Sequence, residues 1–159
     1  VIIIVKLEKM AQSDFDHYIS IAIHAYAIEK VKAGTWAEDE AYKLSEESFK
    51  KLLPNDIETE REYLYSIFDN DKNMKVGYLW LEFSESLIGR TAFIFDFLIL
   101  EEFRGKGYGT QSMIALDDEV KKHGISKVSL HVFAHNKRAI SLYEKVGFKN
   151  TDIHMSKYI

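Results

Sequence analysis

At 159 residues the chain has the length of one domain, and residues 1–159 are expected to form a single unit around one core. It is 47% hydrophobic and 29% charged with one proline, an ordered composition, and its lack of cysteine excludes disulfides, thiolate catalysis and cysteine-bound metals. The formal net charge of −4 argues against a general nucleic-acid binder, and no apolar run approaches the roughly 20 residues of a membrane-spanning helix.

Residues 1–5 carry no basic leader and no small-residue cleavage site, so they read as an opening strand, and a cytoplasmic protein is expected. Ser13 with Asp16 resembles a capping box, and Phe15, Ile19, Ala22, Ile23 and Tyr26 recur at helical spacing. Thr35 with Glu38 repeats that signature after a connector around Trp36. A second stripe, Ala41, Leu44, Ser48 and Leu52, is then closed by Pro54. Residues 61–69, 74–83 and 90–100 turn aromatic and β-branched, and Asp69-Asn70-Asp71 and Ser84-Glu85-Ser86 separate them. Three antiparallel strands are predicted.

A glycine-rich turn follows, then a helix with Met113, Leu116 and Val120 on one face that stops at Gly124. Residues 127–133 read as a strand and 137–145 as a helix stopped by Gly147, and residues 148–159 are expected to close with strand. The order implies a mixed α/β fold. Charge is uneven: residues 38–62 hold nine acids against four bases, and residues 104–159 five acids against ten bases. An anionic ligand suits the second half and a cationic one the first.

The turn Phe103-Arg104-Gly105-Lys106-Gly107-Tyr108-Gly109 leads from a strand into a helix N-terminus, where free N–H groups and the helix dipole favour an anion. Glycines let the backbone approach a phosphate, and Arg104 and Lys106 add positive charge. A Walker loop does not fit, because G-x-x-x-x-G-K-[ST] is missing. A dinucleotide fingerprint fails at Thr110, and the strand Val128-Ser129-Leu130-His131-Val132 lacks the acid that would bind a ribose.

The chain resembles the GNAT N-acetyltransferases, whose R/Q-x-x-G-x-G/A motif is matched by Arg104, Gly107 and Gly109. Their second signature is matched by Asn136 followed by Ala139, Leu142, Tyr143, Gly147 and Phe148. The resemblance implies the acyl-CoA N-acyltransferase fold, a mostly antiparallel central sheet with helices on both faces. It also implies acetyl-CoA as cosubstrate and transfer to an amine through a tetrahedral intermediate. Backbone N–H groups of Arg104, Gly105, Lys106, Gly107, Tyr108, Gly109 and Thr110 would hold the pyrophosphate. Phe97, Leu98 and Ile99 would pair with the pantetheine arm where their strand splays from the next. Asn136 would contact the arm or cap the following helix.

Tyr143 would protonate the leaving thiolate; as a bare aromatic at helical spacing it would read as core. Asp96, a lone acid in the apolar strand of residues 91–100, is the favoured base, with Glu82 and His131 as alternatives and His135 as a loop residue. Each of these also has a structural reading. Tyr26, Trp36, Trp80 and Glu82 are candidate acceptor contacts. No metal site is expected, since the six histidines are scattered. The leading expectation is a small-molecule primary amine as acceptor, the runner-up a protein N-terminus, lysine or peptide. A sensor that binds acetyl-CoA without turnover is a third reading. Exposed strand edges could pair two copies into a homodimer.

Overall fold

The computed structural model describes residues 4–159. Its five strands lie side by side in chain order: β1 (Val5–Lys9), β2 (Glu62–Asp69), β3 (Met74–Ser86), β4 (Gly89–Ile99) and β5 (Ile125–Leu130). Pairing is antiparallel from β1 through β4 and parallel between β4 and β5. The parallel pair needs a crossover, which α3 (Tyr108–Lys122) supplies; α1 (Gln12–Lys32) and α2 (Glu38–Leu52) join β1 to β2, and α4 (Lys137–Lys145) follows β5. The expected mixed, mostly antiparallel sheet is observed. Of the predicted opening strand, residues 1–3 lie outside the described residues, and β1 begins at Val5.

Both faces of the sheet are covered. On one, Met113, Leu116 and Val120 of α3 pack against Ile67, Leu79 and Ile94. On the other, Phe15, Tyr18 and Ile23 of α1 and Phe49 of α2 pack against Leu64 and Trp80. Apolar residues three and four apart on each helix form the stripe that drives this burial.

The predicted capping boxes are not used. The N-caps are Ala11 and Ala37, neither with a side-chain bond, so Ser13 lies inside the first turn of α1 and Thr35 lies outside α2. Charge serves α2 instead: Glu38, Asp39 and Glu40 in its first turn and Lys50 and Lys51 in its last complement the dipole. The predicted break at residues 84–86 is also corrected. The strand continues to Ser86, which faces Gly89 across a two-residue turn of Leu87 and Ile88. Gly77 is dictated by close approach, since a Cβ there would lie 2.2 Å from the Leu98 carbonyl oxygen.

The predicted closing strand does not form. Residues 149–159 contain no strand and are exposed, with Ile153, Met155 and Tyr158 open to solvent. Their alternation suits a strand, but a strand exists through its partner rather than through propensity, and the β5 ladder pairs only with β4. Tyr158 instead reaches the α1–α2 connector, its hydroxyl 2.8 Å from the Cβ position of Gly34.

Register also places two acids face to face, Glu62 on β2 and Glu82 on β3. Burial first, and then the Glu82 carboxylate, push Glu62 up to about 7, against the Trp80 indole N–H (3.1 Å to Oε2) and Arg61. A raised folded-state value means that stability is fully present below the ordinary value of 4.5 and is lost as pH rises through about 7. Glu62→Gln is therefore expected to gain stability over the wild type progressively between pH 5 and pH 8. Urea midpoints across that range test it, and a constant difference would mean that Glu62 titrates normally.

Candidate active site

The chain leaves β4 at Ile99, makes a 3-10 turn over Glu101–Phe103 and enters α3 at Tyr108. Gly105 (φ 73°) and Gly107 (φ 88°) are in the left-handed region, which glycine adopts without steric cost. Nothing lies within 4 Å of where a Gly107 Cβ would stand. The first hydrogen bond within α3 runs from Gln111 N–H to Gly107 O (3.1 Å), and the N-cap has no side-chain bond. The N–H groups of Tyr108, Gly109 and Thr110 thus have no acceptor inside the helix, at its positive end.

Arg104 and Lys106 flank this turn. Arg104 donates through Nε to the Ile99 carbonyl (2.8 Å), and Lys106 lies over the Phe103 ring. A third cation was missed in the sequence: Arg138, in the first turn of α4, has Nη2 3.6 Å from the Cβ position of Gly105. The signal was its place two residues after Asn136. Tyr108 turns its side chain inward, and its hydroxyl donates to the buried Asp69 at 2.5 Å. Asp69 also accepts from the N–H groups of Asp71 and Lys72, so the start of α3 is tied to the β2–β3 turn.

The β4–β5 ladder ends at Ile94 and Leu130, while β4 runs on to Ile99. The predicted splay is present, and a cavity of about 490 Å³ opens at the free edge. Phe97, Leu98, His131, Asn136 and Tyr143 line it, as do Asp96 and an aromatic wall of Tyr26, Phe49, Trp80 and Phe95. Asn136 caps α4, its Oδ1 accepting from Ala139 N–H at 3.2 Å. The predicted cap is formed, and the same residue also lines the cavity.

A bulge in β4 shapes this cavity. Trp80 pairs with Asp96 but Leu81 with Ile94, so Phe95 is an extra residue. Ile94 and Phe97 pack on the α3 side, whereas Phe95 stacks on Trp80 (4.7 Å, 22°) and Asp96 bonds Tyr18 of α1. Two consecutive side chains, one aromatic and one acidic, face the same way.

Tyr18 was not anticipated. It is fully buried, and its hydroxyl donates to Asp96 Oδ2 at 2.7 Å. Burial pushes the Asp96 carboxyl above the usual carboxylate range, against the opposing bonds from Tyr18 and the Phe97 N–H. Tyr143 is pushed up to about 12, by burial first and then by the charge of Asp96.

The remaining candidates divide. Trp36 does not line the cavity; it packs edge-to-face on Tyr26 (5.5 Å) beneath Lys30. Glu82 is likewise absent from the lining and sits by Glu62 instead. His135 bonds Glu29 of α1 through Nε2 (2.5 Å) and so pins the loop before α4 to the cavity mouth. Among the described residues no group of three or more His, Asp or Glu is placed to hold a metal, and no helix is long and apolar enough to cross a membrane.

Comparison with known proteins agrees with this geometry. Residues 26–148 match the model of the Acetyltransferase (GNAT) family. The N-acetyltransferase YycN of Bacillus subtilis (strain 168) is 44% identical over 96% of this chain and 97% of its own length, and its crystal structure superposes with a TM-score of 0.92 over 98% of both chains. YdgE, an N-acetyltransferase of the same strain, is 34% identical over 96% of this chain and 97% of its own. A shorter match, 33% over 42% of this chain and 45% of the other, links it to the [ribosomal protein bS18]-alanine N-acetyltransferase of Escherichia coli (strain K12). By the family match and its full-length relatives, the chain belongs to the GNAT family of acetyltransferases and is an acyltransferase enzyme.

Proposed function

We propose that this enzyme transfers the acetyl group of acetyl-CoA to the primary amine of a small molecule with an apolar body. The observation that carries the reading is the continuity of one cavity from the free edge of β4, past Asp96 and Tyr143, to the aromatic wall. Its volume of about 490 Å³ suits a small ligand, whereas an extended peptide needs an open groove. Arg104, Lys106, Arg138 and the N–H groups at the start of α3 suit the pyrophosphate, and the edge of β4 at Phe97 and Leu98 that faces away from β3 and has no strand partner suits an amide-bearing arm.

Acetyl-CoA would supply an activated thioester: the amine nitrogen bonds to its carbonyl carbon and the carbon–sulfur bond breaks. Asp96 would first accept a proton from the alkylammonium; burial pushes its carboxyl above the usual carboxylate range, which favours the protonated form. Tyr143, at about 12, holds its proton more tightly than a thiol of pKa about 8.5. It would therefore meet the thioester first as a hydrogen-bond donor to sulfur rather than as a ready acid. Once Asp96 is neutralised by the amine's proton, one of the two causes of that raised value disappears, so proton delivery to sulfur becomes easier. Tyr143 would then recover its proton from the nitrogen of the new amide, and Asp96 would release the amine's proton to solvent, which closes the cycle.

The match to the bS18-alanine enzyme favours a second reading, a peptide α-amine as acceptor.

The first test is free-thiol release from acetyl-CoA across aromatic and branched alkyl amines, polyamines, aminoglycosides and short peptides. Turnover is expected with the apolar amines; turnover confined to peptides would transfer the assignment to the second reading, and cofactor binding without turnover would make the chain a sensor. Tyr143→Phe is expected to lower kcat about 100-fold with little change in KM for acetyl-CoA, and an unchanged kcat would remove it from the chemistry. Gly107→Ala strains a left-handed position and should weaken acetyl-CoA binding in calorimetric titration. Gly107→Glu, which also sets a carboxylate among the anion-binding donors, should abolish it.

A further inference from the structure

We propose that Tyr18 is a positioning residue for acetyl transfer, its buried hydroxyl holding the Asp96 carboxylate in place to take the proton of the acceptor amine. The inference rests on the reading of Asp96 as proton acceptor. Tyr18 is 0% exposed and packs between Phe15 (6.4 Å) and Tyr78 (5.4 Å). A phenylalanine would fill that space equally well, and the hydroxyl bonds the one acid that the bulge turns toward α1. Because the ring is wedged in the core and the bond is 2.7 Å long, Oδ2 of Asp96 is held from below.

Burial first, and then the Asp96 charge, raise Tyr18 well above 10, so it keeps its proton throughout and only donates. A donor to a carboxylate favours the charged form, which opposes the effect of burial on Asp96. The proton balance is simple. The acceptor's R–NH3+ gives one proton to Asp96, which becomes neutral and releases it to solvent after acetyl transfer, and Tyr18 neither gains nor loses one.

Other titratable groups on this cavity are Tyr26, Glu29 and Lys30 of α1, His131 beyond β5 and Tyr143 of α4, with Glu29 held by His135. Tyr18→Phe leaves all of them in place, so a change in the pH profile reports on Asp96.

The experiment is kcat/KM against pH from 5 to 10, using the amine with the highest turnover in the panel, for the wild type, Tyr18→Phe and Asp96→Asn. In Tyr18→Phe the acid limb is expected to move up by about one to two pH units, with KM for acetyl-CoA unchanged. A lower kcat with the limb unmoved would make Tyr18 a core residue and overturn the inference. Asp96→Asn should erase the limb; its persistence there would instead overturn the reading of Asp96 itself. Replacement of Tyr18 by 3-fluorotyrosine keeps shape and fold and donates more strongly, so the limb should move down, and no movement would again overturn the inference. A carbon-13 NMR titration of the Asp96 carboxyl reads the same shifts without an acceptor.

Discussion

A parallel ladder that stops at Ile94 and Leu130 leaves the last five residues of β4 with one edge unpaired. Backbone N–H and C=O groups do not stay unsatisfied inside a protein, and an open strand edge invites another extended chain. The cavity opens where β5 turns away, and β4 continues to Ile99 and, through the 3-10 turn, to the glycine turn. Gly77 secures the other edge: only without a side chain can β3 approach the Leu98 carbonyl closely enough to keep β4 aligned where β5 has left it.

Around that edge the two halves of the chain take different tasks. The acid-rich segment from Glu38 to Glu62 follows α1 and forms part of the cover over Trp80 and Phe95. The basic C-terminal part gathers Arg104, Lys106 and Arg138 near the start of α3. The Tyr108 hydroxyl donates to Asp69 and ties this end of α3 to the β2–β3 turn.

Much of this was legible in the sequence. Alternating aromatic and β-branched residues marked β2, β3 and β4, and the glycines, Asn136 and Tyr143 declared the turn and α4 by local chemistry. Asp96 stood out as the one acid in an apolar strand. What stayed hidden depends on residues far apart in the chain. Tyr18 and Asp96 are 78 positions apart, and Glu62 meets Glu82 only through strand register. The bulge has no local mark, because Phe93-Ile94-Phe95-Asp96-Phe97 reads as regular alternation with or without an extra residue. The capping signals at Ser13 and Thr35 were outweighed by tertiary packing that set where the helices begin. Strand propensity in residues 148–159 found no partner.

The bulge at Phe95 has a consequence for how such an enzyme changes over time. Ile94 and Phe97 face the α3 side whether one or two residues stand between them. Loss of a single codon at this place would restore a regular strand with both flanks still in frame. If Phe95 were lost, the acid would remain beside a slimmer wall; if Asp96 were lost, the wall would remain without its acid. One short genetic step thus separates a cavity with a carboxylate at this depth from one without it, and the sheet would carry no scar of the change.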